Sequence, residues 1–473
     1  MGLLVFAALA NAQTYPIKAS ANGRYLVDQK NVPFLLVGDS AWAMMPKLTP
    51  AEMATYFSTR AAQGFNAVMV PITYNSASKP SSNGPAQDGT HPFTSGTTYS
   101  NYDLSTPNPA YFAEVDAMIN LAKTYNIVIF LNAIDNYTFL SQSGAGGTLQ
   151  NNGTTKTFNY GAYLGNRYKN FTNIVWWFGN DFQDWSTNSS DNNLAAQLMA
   201  GVKSADTNHL MTTELNYNFS YSNQDTALSN TTLDQAYTYG GTYDEVLKAY
   251  NSSPTLPVYM GEANYEGEND TGGLPGPCNA YCIREENYWT MTSGATGQLY
   301  GANHVYQFDS SWQSSLSDQG ATEIQYLNSF FNAIPWWNLV PDQTHQIVTA
   351  GYGNNQASAL NIEQNNYCTT SWITDGSLAV VYCPGNTSPA GAFTLTVNMA
   401  KFNGPVTAKW YDPTIGAYTT VSGSPFANTS TQKLSPASLN NHDGNPDWVL
   451  LLQSSGSSSQ PPAPPTGLTA IVN

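Results

Sequence analysis

The chain has 473 residues, 16 basic and 32 acidic side chains, a net charge of −16, and only 10% charged residues against 13% aromatics. So many aromatic and so few charged residues exclude disorder for most of the length. The scarcity of Lys and Arg excludes a nucleic-acid partner or an anionic membrane surface, both of which need basic patches. What remains is a large polar chain suited to neutral ligands, with room for two or three domains, or for one barrel and a companion.

At the N-terminus, Leu3 to Ala10 is a short apolar run and Ala10-Asn11-Ala12 has the small-x-small form of a cleavage site. Residues 1–12 therefore read as a signal peptide lacking its basic leader, which implies secretion. The four cysteines suit an oxidising compartment. The near neighbours Cys278 and Cys282, and Cys368 and Cys383, suggest two local disulfides, although four cysteines allow three connectivities. Neither pair has zinc-site spacing.

From residue 14 to 334 apolar runs alternate with amphipathic stretches. Strands are expected at 34–39, 66–70, 127–132, 174–178, 210–214, 233–236, 258–262 and 303–308. Thr49-Pro50-Ala51-Glu52 supplies an N-cap, a Pro at the first helical position and an acid in the first turn. Further helices are expected at 108–125, 158–170, 192–204, 243–250, 281–293 and 319–333. Eight such units predict a (β/α)8 barrel of the α/β class. Residues 335–453 change to short alternating strands at 378–382, 393–397, 406–411 and 448–452, which predict an all-β sandwich. Residues 454–473 read as a Ser/Pro linker running into the first strand of a fibronectin type III module.

Two acids stand out. Asp181 follows the fourth strand in Phe178-Gly179-Asn180-Asp181, and Glu262 closes the seventh in Met260-Gly261-Glu262. Strands four and seven face each other across a barrel mouth, so both carboxylates can reach one bond. Glycoside hydrolysis uses such a pair, with carboxyls about 5–5.5 Å apart for retention and about 6.5–9.5 Å for inversion. An Asp after a strand is often only a helix cap, but a Glu ending an apolar strand is costly unless it is used or paired. Asn180 is placed to bind a sugar hydroxyl. Asp39, Trp42, Asn132, Asp135, Asn216, Tyr239 and Trp312 end or follow other strands and are candidates to line the mouth. No G-x-S-x-G, H-E-x-x-H or Walker motif is present, and the reading requires neither metal nor cofactor. Glu266-Gly267-Glu268-Asn269-Asp270 and Asn441-His442-Asp443-Gly444-Asn445 could hold Ca2+, though solvated loops of this composition are commoner.

The stretches Asn22-Gly23-Arg24-Tyr25 and Pro33 to Trp42 resemble the opening motif of the apiosidase-like glycoside hydrolases of family 140. Gly64-Phe65-Asn66, Met260-Gly261-Glu262 with Tyr265-Glu266-Gly267, and Ser293-Gly294-Ala295-Thr296-Gly297 match further blocks. Pro335-Trp336-Trp337, Trp410-Tyr411-Asp412-Pro413 and Asp447-Trp448-Val449-Leu450 resemble the collagen-binding-type β-domain appended to that family. The resemblance implies a retaining mechanism with an Asp acid/base after strand four and a Glu nucleophile after strand seven, roles that fall on Asp181 and Glu262. It also implies action on apiosyl bonds in pectic side chains. Asn180 stands where the family has Gly, and residues 74–107 form an insertion of this chain's own. The expected partner is a plant or microbial polysaccharide or oligosaccharide. The rival expectation is a non-catalytic glycan- or matrix-binding protein on a barrel scaffold. A peptidase would need a metal or a nucleophile triad, and neither motif is visible.

Overall fold

The computed structural model describes residues 13–456 apart from 75–83, 134, 136–139, 141–146, 221–227, 270 and 386–392. The signal-peptide and fibronectin expectations, and the expected linker from residue 457 on, fall outside the described residues, while Ser454 still belongs to the last strand of the C-terminal region. Eight parallel strands run β1 (Leu36–Ser40), β2 (Ala67–Pro71), β3 (Val128–Asn132), β4 (Ile174–Phe182), β5 (Met211–Leu215), β6 (Leu233–Tyr237), β7 (Val258–Glu262) and β8 (Gly297–Tyr300). They pair in chain order, and β8 pairs back onto β1. The chain therefore closes into a (β/α)8 barrel.

β2 and β3 are nearly continuous apolar runs because both faces are covered, whereas β5 and β6 bury Thr212, Thr213, Glu214, Asp234 and Gln235 as well. Leu36, Met69, Phe130, Trp177 and Tyr259 fill the interior, while Val37, Val70, Ile129, Trp176 and Met211 pack outward against the helices. Successive residues thus point alternately in and out, as a pleated strand requires. Gly38 is needed on the inner face because a Cβ there would lie 2.1 Å from the side chain of Leu299.

The outer layer comprises α1 (Pro50–Ala62), α2 (Pro109–Thr124), α3 (Thr148–Tyr168), α4 (Ser189–Ala205), α5 (Thr242–Asn251), α6 (Ala280–Thr292) and α7 (Gln319–Asn332). The start of α1 is a complete capping box between Thr49 and Glu52, which fixes its first turn. The helix expected at 158–170 begins ten residues earlier. No helix among the described residues is long and apolar enough to cross a membrane.

The eighth strand corrects the sequence reading. Asn303–Tyr306 is a helical turn, and the strand is Gly297–Tyr300. Val305, Tyr306 and Phe308 carry strand propensity, but tertiary packing overrides it. Gly297 is required at the true strand, since its φ is 150° and a Cβ would meet Leu36 O at 1.9 Å.

The C-terminal region holds a six-stranded sheet and a three-stranded sheet. In the larger sheet, Ala379, Val381, Ala408, Leu450 and Leu452 face the sandwich core. Val380, Tyr382, Tyr411, Val449 and Leu451 instead join the apolar cluster that also contains the barrel's outer layer. The sandwich is thus packed onto the barrel through α6, every residue of which is buried. A helix buried all round is normally apolar, yet α6 carries Arg284, Glu285 and Glu286. Arg284 satisfies its charge by donating to both oxygens of Asp447 in the sandwich, at 2.8 and 3.0 Å, and to Glu323 of α7 at 2.5 Å. Disulfides join Cys278 to Cys282 and Cys368 to Cys383.

Candidate active site

The C-terminal end of β4 is built from three consecutive left-handed residues, Gly179, Asn180 and Asp181, with φ of 101°, 82° and 50°. The pairing of β4 with β5 slips between Phe178 and Phe182. Two extra residues on β4 are accommodated there, as in a bulge that re-aims a side chain. Gly179 permits this because a Cβ would lie 2.1 Å from Glu214 O. The pairing of β7 with β6 also slips, between Met260 and Glu262. Both candidate acids therefore sit immediately at breaks in regular pairing.

Glu262 accepts from Tyr239 Oη at 3.0 Å through Oε1 and from Tyr265 Oη at 3.4 Å through Oε2. Tyr265 in turn accepts from Trp42 Nε1 at 2.8 Å, and the Trp42 ring meets Trp177 edge-on at 5.1 Å. Asn180 donates to Asp135 Oδ1 at 2.7 Å. Burial raises the Asp181 carboxyl above the usual carboxylate range, opposed weakly by a 3.4 Å hydrogen bond from Gln183. That shift favours a proton on Asp181, the condition a general acid requires.

Glu214, at the end of β5, was not among the expected site residues. It is fully buried. It accepts from the Asp181 backbone N–H at 2.8 Å and from Gln235 Nε2 at 2.5 Å. Burial first, and then the negative charges of Glu262 and Asp181, push its carboxyl well up. The fields of both candidate acids thus converge on the one side chain. Tyr237 on β6 also feels both acids.

Among the other expected residues, Asn216 accepts from Trp185 Nε1 at 2.8 Å, and Asn132 is buried on the inner phase of β3. The structure does not bring Asp39 or Trp312 to the mouth. Asp39 has the outward phase of β1 and bonds Arg60 Nε and Tyr56 Oη of α1, each at 2.6 Å. Trp312 lies twelve residues beyond β8 and packs on Phe308, which itself packs on Tyr56. Both therefore belong to the layer between the barrel wall and α1. In the two acidic loops, Glu266 spends its carboxylate on Gly320 N–H and Tyr300 Oη. Asn441 Oδ1 accepts the amides of Asp443 and Asn445, and Asp270 lies outside the described residues. Among the described residues, Cys278, Cys282 and Glu286 form the one close group of metal-ligand types, and its two cysteines are joined in a disulfide.

Residues 20–338 match the family described as "Apiosidase-like, catalytic domain". The chain belongs to this apiosidase-like family. Residues 355–453 match a second family, described as "Putative collagen-binding domain of a collagenase". Two solved structures resemble the apiosidase-like chain over nearly its whole length. One is described as a glycoside hydrolase, at 20% identity and a TM-score of 0.77, covering 94% of this chain and 98% of its own. The other is a glycoside hydrolase family 5 protein from Bacteroides vulgatus, also at 20% identity and a TM-score of 0.77, covering 93% and 94%. At that identity the likeness establishes the fold. No curated protein sequence matches the chain.

Proposed function

We propose that this protein is a secreted retaining glycoside hydrolase acting on a plant or microbial polysaccharide, with Asp181 as acid/base and Glu262 as nucleophile. Glu262 attacks the anomeric carbon while Asp181 gives its proton to the departing glycosidic oxygen. The resulting glycosyl ester on Glu262 is then attacked by water, whose proton returns to Asp181, and the Glu262 carboxylate is released. The observation that carries the reading is that Asp181 and Glu262 occupy the ends of β4 and β7, each at a break in strand pairing, with the Asp181 amide held by Glu214 and the Glu262 carboxylate held by two tyrosine hydroxyls. The tyrosine hydroxyls on both oxygens of Glu262 favour catalysis over mere glycan binding, because they orient a nucleophile that a binding site would not need. The family's name makes apiosyl bonds the first to test, and pectic side chains are the expected polymers that carry them. The two disulfides agree with an extracellular site of action.

The test is a screen of the purified chain on pectic side chains, arabinans, xylans and β-glucans with a reducing-sugar readout. Release from one class by the wild type, and none by Glu262→Ala, is expected. Equal release by the variant would overturn the assignment.

A further inference from the structure

Glu214 is a buried carboxylate facing two other acids, Asp181 and Glu262, with Tyr259 and Tyr265 the ionisable neighbours around it. Such a position is among the most expensive for a negative charge, so its presence calls for a role. Its two oxygens are assigned by their partners, one to the Asp181 amide and the other to Gln235 Nε2. Gln235 cannot reverse its own amide without loss, because Tyr259 Oη donates to its Oε1 at 2.6 Å. Tyr259 in turn receives Thr212 Oγ1 at 3.3 Å. The donors therefore run from Thr212 of β5 through Tyr259 of β7 and Gln235 of β6 and end on Glu214, back on β5.

Gln235, the link before Glu214, also reaches the strand end that carries Glu262. A Cβ at Gly261 would stand 2.1 Å from Gln235 Nε2 and 2.2 Å from its Cδ. The Gln235 side chain thus fills the space that residue 261 leaves empty, directly before Glu262. At the Glu214 end, Gly179 passes so close to β5 that a Cβ there would stand 2.1 Å from Glu214 O. Non-glycine residues with positive φ cost roughly 1–3 kcal/mol each and persist only where their surroundings over-determine them. The Glu214 bond to the Asp181 amide is one such restraint.

We propose that Glu214 and Gln235 form a polar strut between the two catalytic strand ends, holding Asp181 through its amide and Glu262 through Gly261. Both are positioning residues, and the assignment rests on the reading of Asp181 and Glu262 as the catalytic pair. Replacing Glu214 by Gln leaves one donor opposed to another whichever way the new amide turns. Against the Asp181 amide or against Gln235, one N–H faces an N–H. The exchange Glu214→Gln with Gln235→Glu restores every hydrogen bond, because the new carboxylate accepts from both the new amide and Tyr259.

The experiment measures the full chain on a panel of 4-nitrophenyl and 2,4-dinitrophenyl glycosides, with thermal melts alongside. Glu214→Gln should lower kcat on the 4-nitrophenyl substrate roughly 100-fold, the scale of a misplaced catalytic group, with KM little changed. The loss should be smaller on the dinitrophenyl substrate, whose leaving group needs no proton from Asp181. The double exchange should recover most of kcat. If Glu214→Gln shows no cooperative melt, the double exchange decides alone: recovered activity supports the strut, and a folded, inactive double variant overturns it. Wild-type kcat in Glu214→Gln also overturns the strut, provided that Glu262→Ala is inactive. A wild type without turnover on any member of the panel overturns the catalytic reading itself.

Discussion

Tyr239 donates its hydroxyl to Glu262 Oε1 at 3.0 Å while lying 2.8 Å from the hydroxyl of Tyr237. Since the Tyr239 proton points to the carboxylate, Tyr237 must be the donor in the second bond. The two tyrosines form a short relay ending on Glu262, the proposed nucleophile. A hydrogen bond to a charged group is worth about 1.5–3 kcal/mol. Tyr239→Phe is therefore expected to reduce kcat about 10- to 100-fold with KM nearly constant. Steady-state kinetics on the substrate the wild type cleaves would check this.

Gly179 offers a backbone test of the same site. Its φ is 101°, and a Cβ there would stand 2.1 Å from Glu214 O, so a methyl group has no place. Gly179→Ala should abolish turnover and lower stability by at least the ~1–3 kcal/mol of a strained residue. Calorimetry and activity should fall together. A fully active Ala variant would mean that the turn at Asp181 is not required.

Glu286 of α6 gives a pH signature. Burial raises its carboxyl to about 8, although Asn264 N–H and Nδ2 both donate to it, at 2.9 and 2.6 Å. A proton held in the folded state and released in the unfolded state stabilises the fold below the unfolded value of about 4.5. That contribution is lost as pH rises toward about 8. Gln at this position keeps an acceptor for both donors and does not ionise. The melting temperature of Glu286→Gln relative to wild type should therefore climb between pH 5 and pH 8, and a flat difference would contradict the burial argument.

Arg284 tests how the sandwich is attached. It is 3% exposed, and the carboxylates that bind it lie in the sandwich and in α7. Removing one member of a buried pair typically costs about 3–5 kcal/mol. Arg284→Ala should lower the melting temperature and divide one unfolding transition into two. A single unchanged transition would show that the apolar contacts alone join the two parts.

Much of this arrangement was legible in the sequence, for identifiable reasons. Seven barrel strands fall within two residues of expectation at their starts, because most of them, covered on both faces, are continuous apolar runs. The eighth was misplaced because Gly297-Gln298-Leu299-Tyr300 has only one strongly apolar aliphatic residue, while residues 303–308 after it include the strand formers Val305, Tyr306 and Phe308. Asp181 and Glu262 could be picked out by position alone. Asp39 was misjudged by one step of the pleat: Gly38 faces inward, so Asp39 faces Arg60. The same pleat carried the signal that was missed, since Thr212 and Glu214 share a phase on β5. Alternation there would have placed a carboxyl inside the barrel between the two candidate acids. The bulges at Gly179–Asp181 and at Met260–Glu262 leave no such trace, because they depend on cross-strand register.

The most direct measurement is the site of covalent trapping. The wild type would be incubated with the 2-deoxy-2-fluoro dinitrophenyl glycoside of the sugar it releases, then examined by intact mass and peptide mapping. One glycosyl adduct on Glu262 is predicted, since the fluorine slows both formation and hydrolysis of the ester while the dinitrophenyl leaving group keeps its formation the faster step. An adduct on Asp181 or Glu214, or active enzyme that forms none and releases product of inverted configuration, would contradict the account.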